Sequence, residues 1–296
     1  MNYYNEIKNE LINNEVYKRV KDYSKNKNDL TTYHNVGKLL SEAGKHYGAG
    51  IIKEYSKRLS EELKINYTKS SLYNMLNFYN LTCYINFQTV SGKLSWSHYC
   101  ELLPIKDFNK IRYYIKITEE QNLSVRELRT KIKNNEYERL PEDTKLKLVN
   151  KEENNIKDFI KNPILINNKY NYTEISEKIL KQLILEDMDN FLTELGDGFC
   201  YIKNEYKIKV GNNYNYIDLL LFNIEFNCYV VVELKVTELK KEHIGQIEIY
   251  MHYIDKNIKK ITQDKTIGII ICKKDNKFIM EYCSDPRIFT SNYIFN

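Results

Sequence analysis

Apolar positions in the first 135 or so residues recur at helical spacing. Residues 51–64 place Ile51, Ile52, Tyr55, Leu59 and Leu63 on one stripe. After a short break at 65–68, residues 69–79 place Leu72, Met75, Leu76 and Tyr79 on another. Two helices joined by a tight turn suit a helix-turn-helix whose second helix reads a DNA groove, and equally suit an ordinary helical hairpin. Ser124-Val-Arg-Glu127 has capping-box spacing and predicts a helix carrying Arg126, Arg129, Lys131 and Lys133. Residues 141–170 are polar, with few apolar anchors beside Pro141 and Pro163, and read as a linker with 147–159 as its one helical stretch. The period then changes. Thr173 can cap a helix running through Ile175, Ile179, Leu180, Leu183, Ile184, Met188, Phe191 and Leu192 to a stop at Gly196. Strand-like runs follow at 199–204, 206–210, 216–222 and 228–236, then a charged helix over 240–261 and an apolar strand at 267–272. Residues 277–283 and 288–294 read as further strand. This order predicts an α/β sheet domain behind a helical one.

Composition narrows the class. The 296 residues are 42% hydrophobic and 29% charged, which excludes a largely disordered chain and a membrane bundle. The longest apolar runs are strand-sized, far below the ~20 residues of a spanning helix. Net charge is +5 but uneven: residues 1–150 hold 25 Lys and Arg against 18 Asp and Glu, residues 151–296 hold 20 against 22. Six of the seven arginines lie in the first half, as befits a binding part joined to a working part. The six cysteines form no C-x-x-C pair, and residues 1–14 are too polar for a signal peptide, so a reducing cytoplasm is expected. No histidine has another His or a Cys at the spacing of a zinc site.

The chemistry lies where charges interrupt strands. Asp218 breaks the apolar run YNYIDLLLF, and Glu233 and Lys235 break YVVVELKV. Strand residues i and i+2 share a face, so Glu233 and Lys235 lie together with Leu234 opposed. Residues 223–227 are short enough for a hairpin turn, which brings Asp218 towards Glu233. A buried Glu–Lys pair or a solvated edge accounts for ELK alone, but Asp218 at hairpin spacing favours a site. Two carboxylates suit Mg²⁺, and a neighbouring ammonium can steer a water and stabilise charge at phosphorus.

Asp218 followed by Glu233-x-Lys235 resembles the PD-(D/E)xK nuclease motif. ELGDGFCYI (194–202), YIDLLLF (216–222), VVVELKV (230–236), GQIEIYM (245–251) and IGIIICK (267–273) together resemble the YhcG-like bacterial proteins. In the N-terminal half VGKLLSEA (36–43), the segment around 59–78, LSWSHYCELL (94–103) and LSVRELRTKI (123–132) fit the same pattern. The resemblance implies two domains: a mainly α-helical, winged-helix-like N-terminal domain (1–140) that binds DNA or a partner, a linker (141–170), and an α/β restriction-endonuclease-like domain (171–296) with a central mixed sheet flanked by helices. It implies Mg²⁺- or Mn²⁺-dependent cleavage of DNA, either branched, recombination or repair intermediates or foreign DNA. Asp218 and Glu233 would hold the metal with the Leu234 carbonyl, Lys235 would address the water, and Gln246 and Tyr250 would support from the following helix. Glu186 is the choice for the additional helix acid found in resolvase-like nucleases. Lys69, Arg126, Arg129 and Lys131 are the candidate nucleic-acid contacts. A homodimer or a restriction or defence partner stands open, and so does a catalytically silent DNA-binding or protein-interaction subunit. Two departures bear on the DNA path: the turn between the catalytic strands lacks the basic residues expected there, and an expected Arg-Gln pair is Asn204-Glu205.

Overall fold

The computed structural model describes residues 3–19, 25–48, 50–85, 93–150, 158 and 160–296. It forms two compact units, Met1–Tyr137 and Glu138–Asn296.

The first unit is helical throughout its described residues: α1 (Tyr3–Arg19), α2 (Lys25–Tyr47), α3 (Ile51–Leu63), α4 (Lys69–Ile85), α5 (Trp96–Leu102), α6 (Phe108–Gln121) and α7 (Val125–Lys133). The stripe on α3 is buried as its spacing predicts, with Ile52, Tyr55 and Leu59 packed against Ile7, Leu11, Val36, Leu40, Leu72 and Met75. Lys64 ends α3 in the left-handed region (φ 57°), and the turn is fastened where the Tyr67 amide donates to Ser60 Oγ at 3.0 Å. Close packing of α2 on α4 requires Gly37: a Cβ there would lie 2.2 Å from the Met75 carbonyl oxygen. Trp96 completes this core beside Tyr33 and Phe78. The capping box of α7 is present, with Glu127 N–H donating to Ser124 Oγ and Ser124 N–H to Glu127 Oε2. No strand, and so no wing, occurs among the described residues of this unit.

The second unit begins earlier than expected. After α8 (Glu142–Asn150), β1 (Ile164–Ile166) is buried at the edge of a six-stranded sheet. Residues 141–170 are therefore not a free linker; three apolar residues are too few to announce a strand, yet they pair parallel with the last strand of the sheet. Buried Glu194 fastens the segment, accepting from both guanidinium nitrogens of Arg139 and from Leu165 N–H. The helix expected over 147–159 overlaps the end of α8; residues 151–157 and 159 lie outside the described residues.

The helix predicted from Thr173 is two helices, α9 (Glu177–Glu186) and α10 (Met188–Leu195). Ser176 caps the first by accepting from Ile179 N–H, and Asp187, with φ −135° and ψ 50°, breaks the path between them. The sheet continues through β2 (Phe199–Val210), β3 (Asn213–Asn223), β4 (Cys228–Glu238), then α11 (Lys241–Asn257), β5 (Asp264–Lys274), α12 (Lys277–Glu281) and β6 (Ile288–Phe295). The two runs read at 199–210 are one strand with a register shift between Tyr201 and Lys203. Residues 277–283, read as strand, hold α12 instead, because Asn276 accepts from Ile279 N–H and starts a helix whose apolar residues are not buried.

The sheet order is β1-β6-β5-β4-β3-β2, antiparallel from β2 to β4 and parallel from β4 to β1. Leu180, Leu183, Phe191 and Leu195 of α9 and α10 cover the face bearing Leu219, Val230, Val232 and Leu234. Ile247, Tyr250, Met251 and Ile254 of α11 cover the face bearing Leu220, Val231 and Ile270. Central β4 is thus buried on both sides, which explains the apolar run Tyr229–Val232 that precedes Glu233. Gly268 lets α11 approach β5, since a Cβ there would lie 2.7 Å from Met251 Sδ and 2.8 Å from Ile247 Cδ1. No described helix is long and apolar enough to cross a membrane.

Candidate active site

The β3–β4 ladder is antiparallel, with Leu219 opposite Val232 as its last pair in the direction of Asp218. Asp218 and Glu233 are the residues one step beyond that last pair, the neighbourhood that the hairpin spacing predicts. Asp218 Oδ2 accepts from Leu234 N–H at 3.0 Å. Leu234, expected to offer its carbonyl, thus meets Asp218 through its amide.

Glu233 is 1% exposed. Its Oε2 accepts from Lys235 Nζ at 3.3 Å, while Oε1 is buried with no hydrogen-bond partner. Burial first, and the negative charge of Asp218 second, push its carboxyl up to about 8 against the opposing pull of Lys235. Lys235 is itself nearly buried and lies 3.9 Å from Glu177 on the first turn of α9. On α11, Gln246 Nε2 donates to Tyr250 Oη at 2.9 Å. Burial raises the Tyr250 phenol, and the nearby Glu233 charge adds to the rise. Gln246 is therefore engaged with Tyr250, its partner one turn on.

The orphaned Oε1 tests the fit of a cation. A buried carboxylate oxygen without a donor costs free energy, and a divalent ion is the partner that hard oxygen ligands suit. The unpartnered oxygen of Glu233 fits such an ion, and Asp218 is the neighbouring carboxylate that could share it. Among the described residues no group of three His, Cys, Asp or Glu side chains surrounds a common point, so water and phosphate oxygens would complete its shell.

Three groups at this site escaped the sequence reading. Lys181 Nζ lies 2.8 Å from Asp218 Oδ1 and also pairs with Glu205. Burial alone would lower this lysine, but its bonds to Asp218 and Glu205 hold it above its ordinary range. Glu177 and Lys181 are four residues apart on one face of α9, the only sequence signal that could have linked them. Glu186 lies further along: it pairs with Lys169 at 2.8 Å and accepts from Gln182, and the Lys169 bond holds its carboxyl near 2. The α9 acid beside Lys235 is Glu177, because helical rise carries Glu186 more than a turn past Lys181.

The candidate nucleic-acid residues divide. Arg129 is held by Glu101 through two bonds of 3.1 and 2.7 Å, and Lys131 by buried Glu136 at 3.0 Å. Lys69 sits over the Tyr73 ring, and Arg126 is exposed with no ion pair among the described residues.

Residues 9–139 match the family described as DUF1016 N-terminal domain, and residues 157–295 match the YhcG PDDEXK nuclease domain. A relative from Escherichia coli (strain K12), named "Putative nuclease YhcG", is 26% identical over 283 residues, spanning 81% of this chain and 76% of the relative. Two solved structures share parts of the chain. The crystal structure of a repair endonuclease from Pyrococcus abyssi is 18% identical with TM-score 0.29, covering 41% of this chain and 48% of its own. An EndoMS–dsDNA complex is 17% identical with TM-score 0.31, covering 41% and 47%. At such scores neither structure adds to the family match. The chain thus joins a DUF1016 N-terminal domain to a YhcG PDDEXK nuclease domain, the pair that marks it as a member of the YhcG-like family.

Proposed function

We propose that this protein is a divalent-metal-dependent nuclease that hydrolyses phosphodiester bonds in DNA, using Mg²⁺ or Mn²⁺. The observation that carries the reading is the buried, partnerless Oε1 of Glu233 beside Asp218 and Lys235 on the central strands. Asp218 and Glu233 would hold the ion. Bound there, the metal would supply Lewis-acid polarisation of the scissile phosphate and a water of lowered pKa. Lys235, positioned by Glu233, orients that water and stabilises charge on phosphorus. Tyr250 and Gln246 close the side of the site formed by α11. The first unit supplies contacts to DNA or to a partner, with Arg126 and Lys69 the two of the four candidate cations that Glu101 and Glu136 do not hold.

A catalytically silent DNA-binding or interaction subunit is the competing reading, and the Lys181–Asp218 pair is the observation that favours it. Nicking of supercoiled plasmid and cleavage of branched DNA by the full chain separate the two. The nuclease reading expects cleavage with Mg²⁺ or Mn²⁺, none with chelator, and loss in Glu233→Ala and Lys235→Ala. Absence of cleavage on every substrate and metal contradicts it.

A further inference from the structure

The two candidate ligand carboxylates are not equivalent. Glu233 keeps one oxygen unpaired, whereas both oxygens of Asp218 are taken, Oδ1 by Lys181 and Oδ2 by the Leu234 amide. Lys181 is held firmly in this place. The Ser176 cap and the buried Leu180, Leu183 and Ile184 fix α9 on the sheet, so the Cα of Lys181 cannot drift from β3.

Glu205 gives the ammonium a second anchor. It lies between the β2–β3 pairs Asn204–Leu219 and Tyr206–Ile217, level with Asp218, and its backbone is in the left-handed region at φ 48°. The Asp218 side chain is 17% exposed and that of Glu205 is 50% exposed. An ammonium leaving Asp218 therefore keeps a solvated carboxylate to rest on.

We propose that Lys181 is a built-in counter-ion for Asp218: in the metal-free protein it takes the electrostatic place of a divalent cation, and metal loading is an exchange in which the ammonium retreats to Glu205. This rests on the nuclease reading above and sets its metal affinity. The fraction of molecules with Asp218 released scales the apparent affinity. If the pair is closed about nine-tenths of the time or more, removing the ammonium tightens binding by about tenfold or more.

The test is Mn²⁺ binding to the full chain, read as loss of the free-ion signal in electron paramagnetic resonance. It compares wild type, Lys181→Met, Lys181→Arg and the double variant Lys181→Met/Asp218→Asn. Lys181→Met should bind Mn²⁺ about tenfold tighter than wild type, Lys181→Arg should stay near wild type, and the double variant should lose the gain. Thermal unfolding gives a second reading: Lys181→Met should melt lower than wild type without metal, yet gain more from saturating Mn²⁺. A purely structural lysine would lower both midpoints alike. If Lys181→Met does not fold, Lys181→Gln carries the same expectations. Unchanged or weaker Mn²⁺ binding in the charge-removed variant, with binding still dependent on Asp218, overturns the counter-ion role and leaves the nuclease reading standing. Mn²⁺ binding indifferent to Asp218 overturns both.

Discussion

Replacing Glu233 by Gln in metal-free protein should remove part of the pH dependence of stability. The folded carboxyl is raised from 4.5 to about 8 by burial and by the Asp218 charge. Between those values the folded state binds more protons at this carboxyl than the unfolded chain does, so its contribution to stability is full below about pH 4.5 and is lost as pH rises towards 8. Each pH unit inside that window is worth up to about 1.4 kcal/mol, which places the whole loss at roughly 5 kcal/mol. Gln does not ionise, so this loss is absent in the variant. Trp96, the one tryptophan, lies in the first unit, and its fluorescence would report the wrong part of the chain. Amide exchange of β4 and β5 peptides, compared between the two proteins at each pH from 5 to 9 in chelator, reads the right one. The variant should gain protection relative to wild type steadily up to about pH 8. A difference that stays flat across that range would falsify the assignment of Glu233 as a buried carboxyl in conflict with Asp218.

The remaining outcomes follow from the packing, the ion pairs and the exposed cations. Gly268→Ala should destabilise the second unit by about 1–3 kcal/mol, measured by urea unfolding, because the added methyl meets Met251 and Ile247 at 2.7–2.8 Å. Arg126→Ala should reduce the salt slope of DNA binding by about 1, the signature of one lost phosphate contact. Lys131→Ala should instead lower the melting temperature, since it removes an ammonium that pairs with buried Glu136. Glu186→Ala should leave Mn²⁺ affinity unchanged, because its carboxylate is committed to Lys169, whereas Glu177→Ala, beside Lys235, should alter cleavage.

Asp218, Glu233 and Lys235 were legible in the sequence because a charge inside an apolar strand has few bland explanations, and their spacing matched a hairpin. The capping box at Ser124 and the stripe on α3 were legible for the same reason: both are local patterns with a period or an offset. What escaped was non-local or too short. Lys181 meets Asp218 across 37 residues of sequence and Glu205 across 24, and nothing in either segment marks the partner. Ile164–Ile166 needs β6 to be a strand at all, and residues 277–283 have strand-like composition but a cap at Asn276 that turns them into a helix. Glu186 was chosen for its place on the helix that covers the sheet, but sequence does not show which turn of that helix lies near Lys235, and the carboxylate found there is Glu177. Arg129 and Lys131 looked available for nucleic acid only because their partners Glu101 and Glu136 cannot be paired with them from the sequence alone.

The most direct measurement of the central claim is the position of Mn²⁺ by anomalous scattering in crystals of the full chain soaked with the ion. The nuclease account predicts an ion bound by both Asp218 and Glu233, with metal–oxygen distances of about 2.1–2.2 Å. Lys181 should then be displaced towards Glu205. An ion bound elsewhere, or no ion between these carboxylates at saturating Mn²⁺, would contradict it.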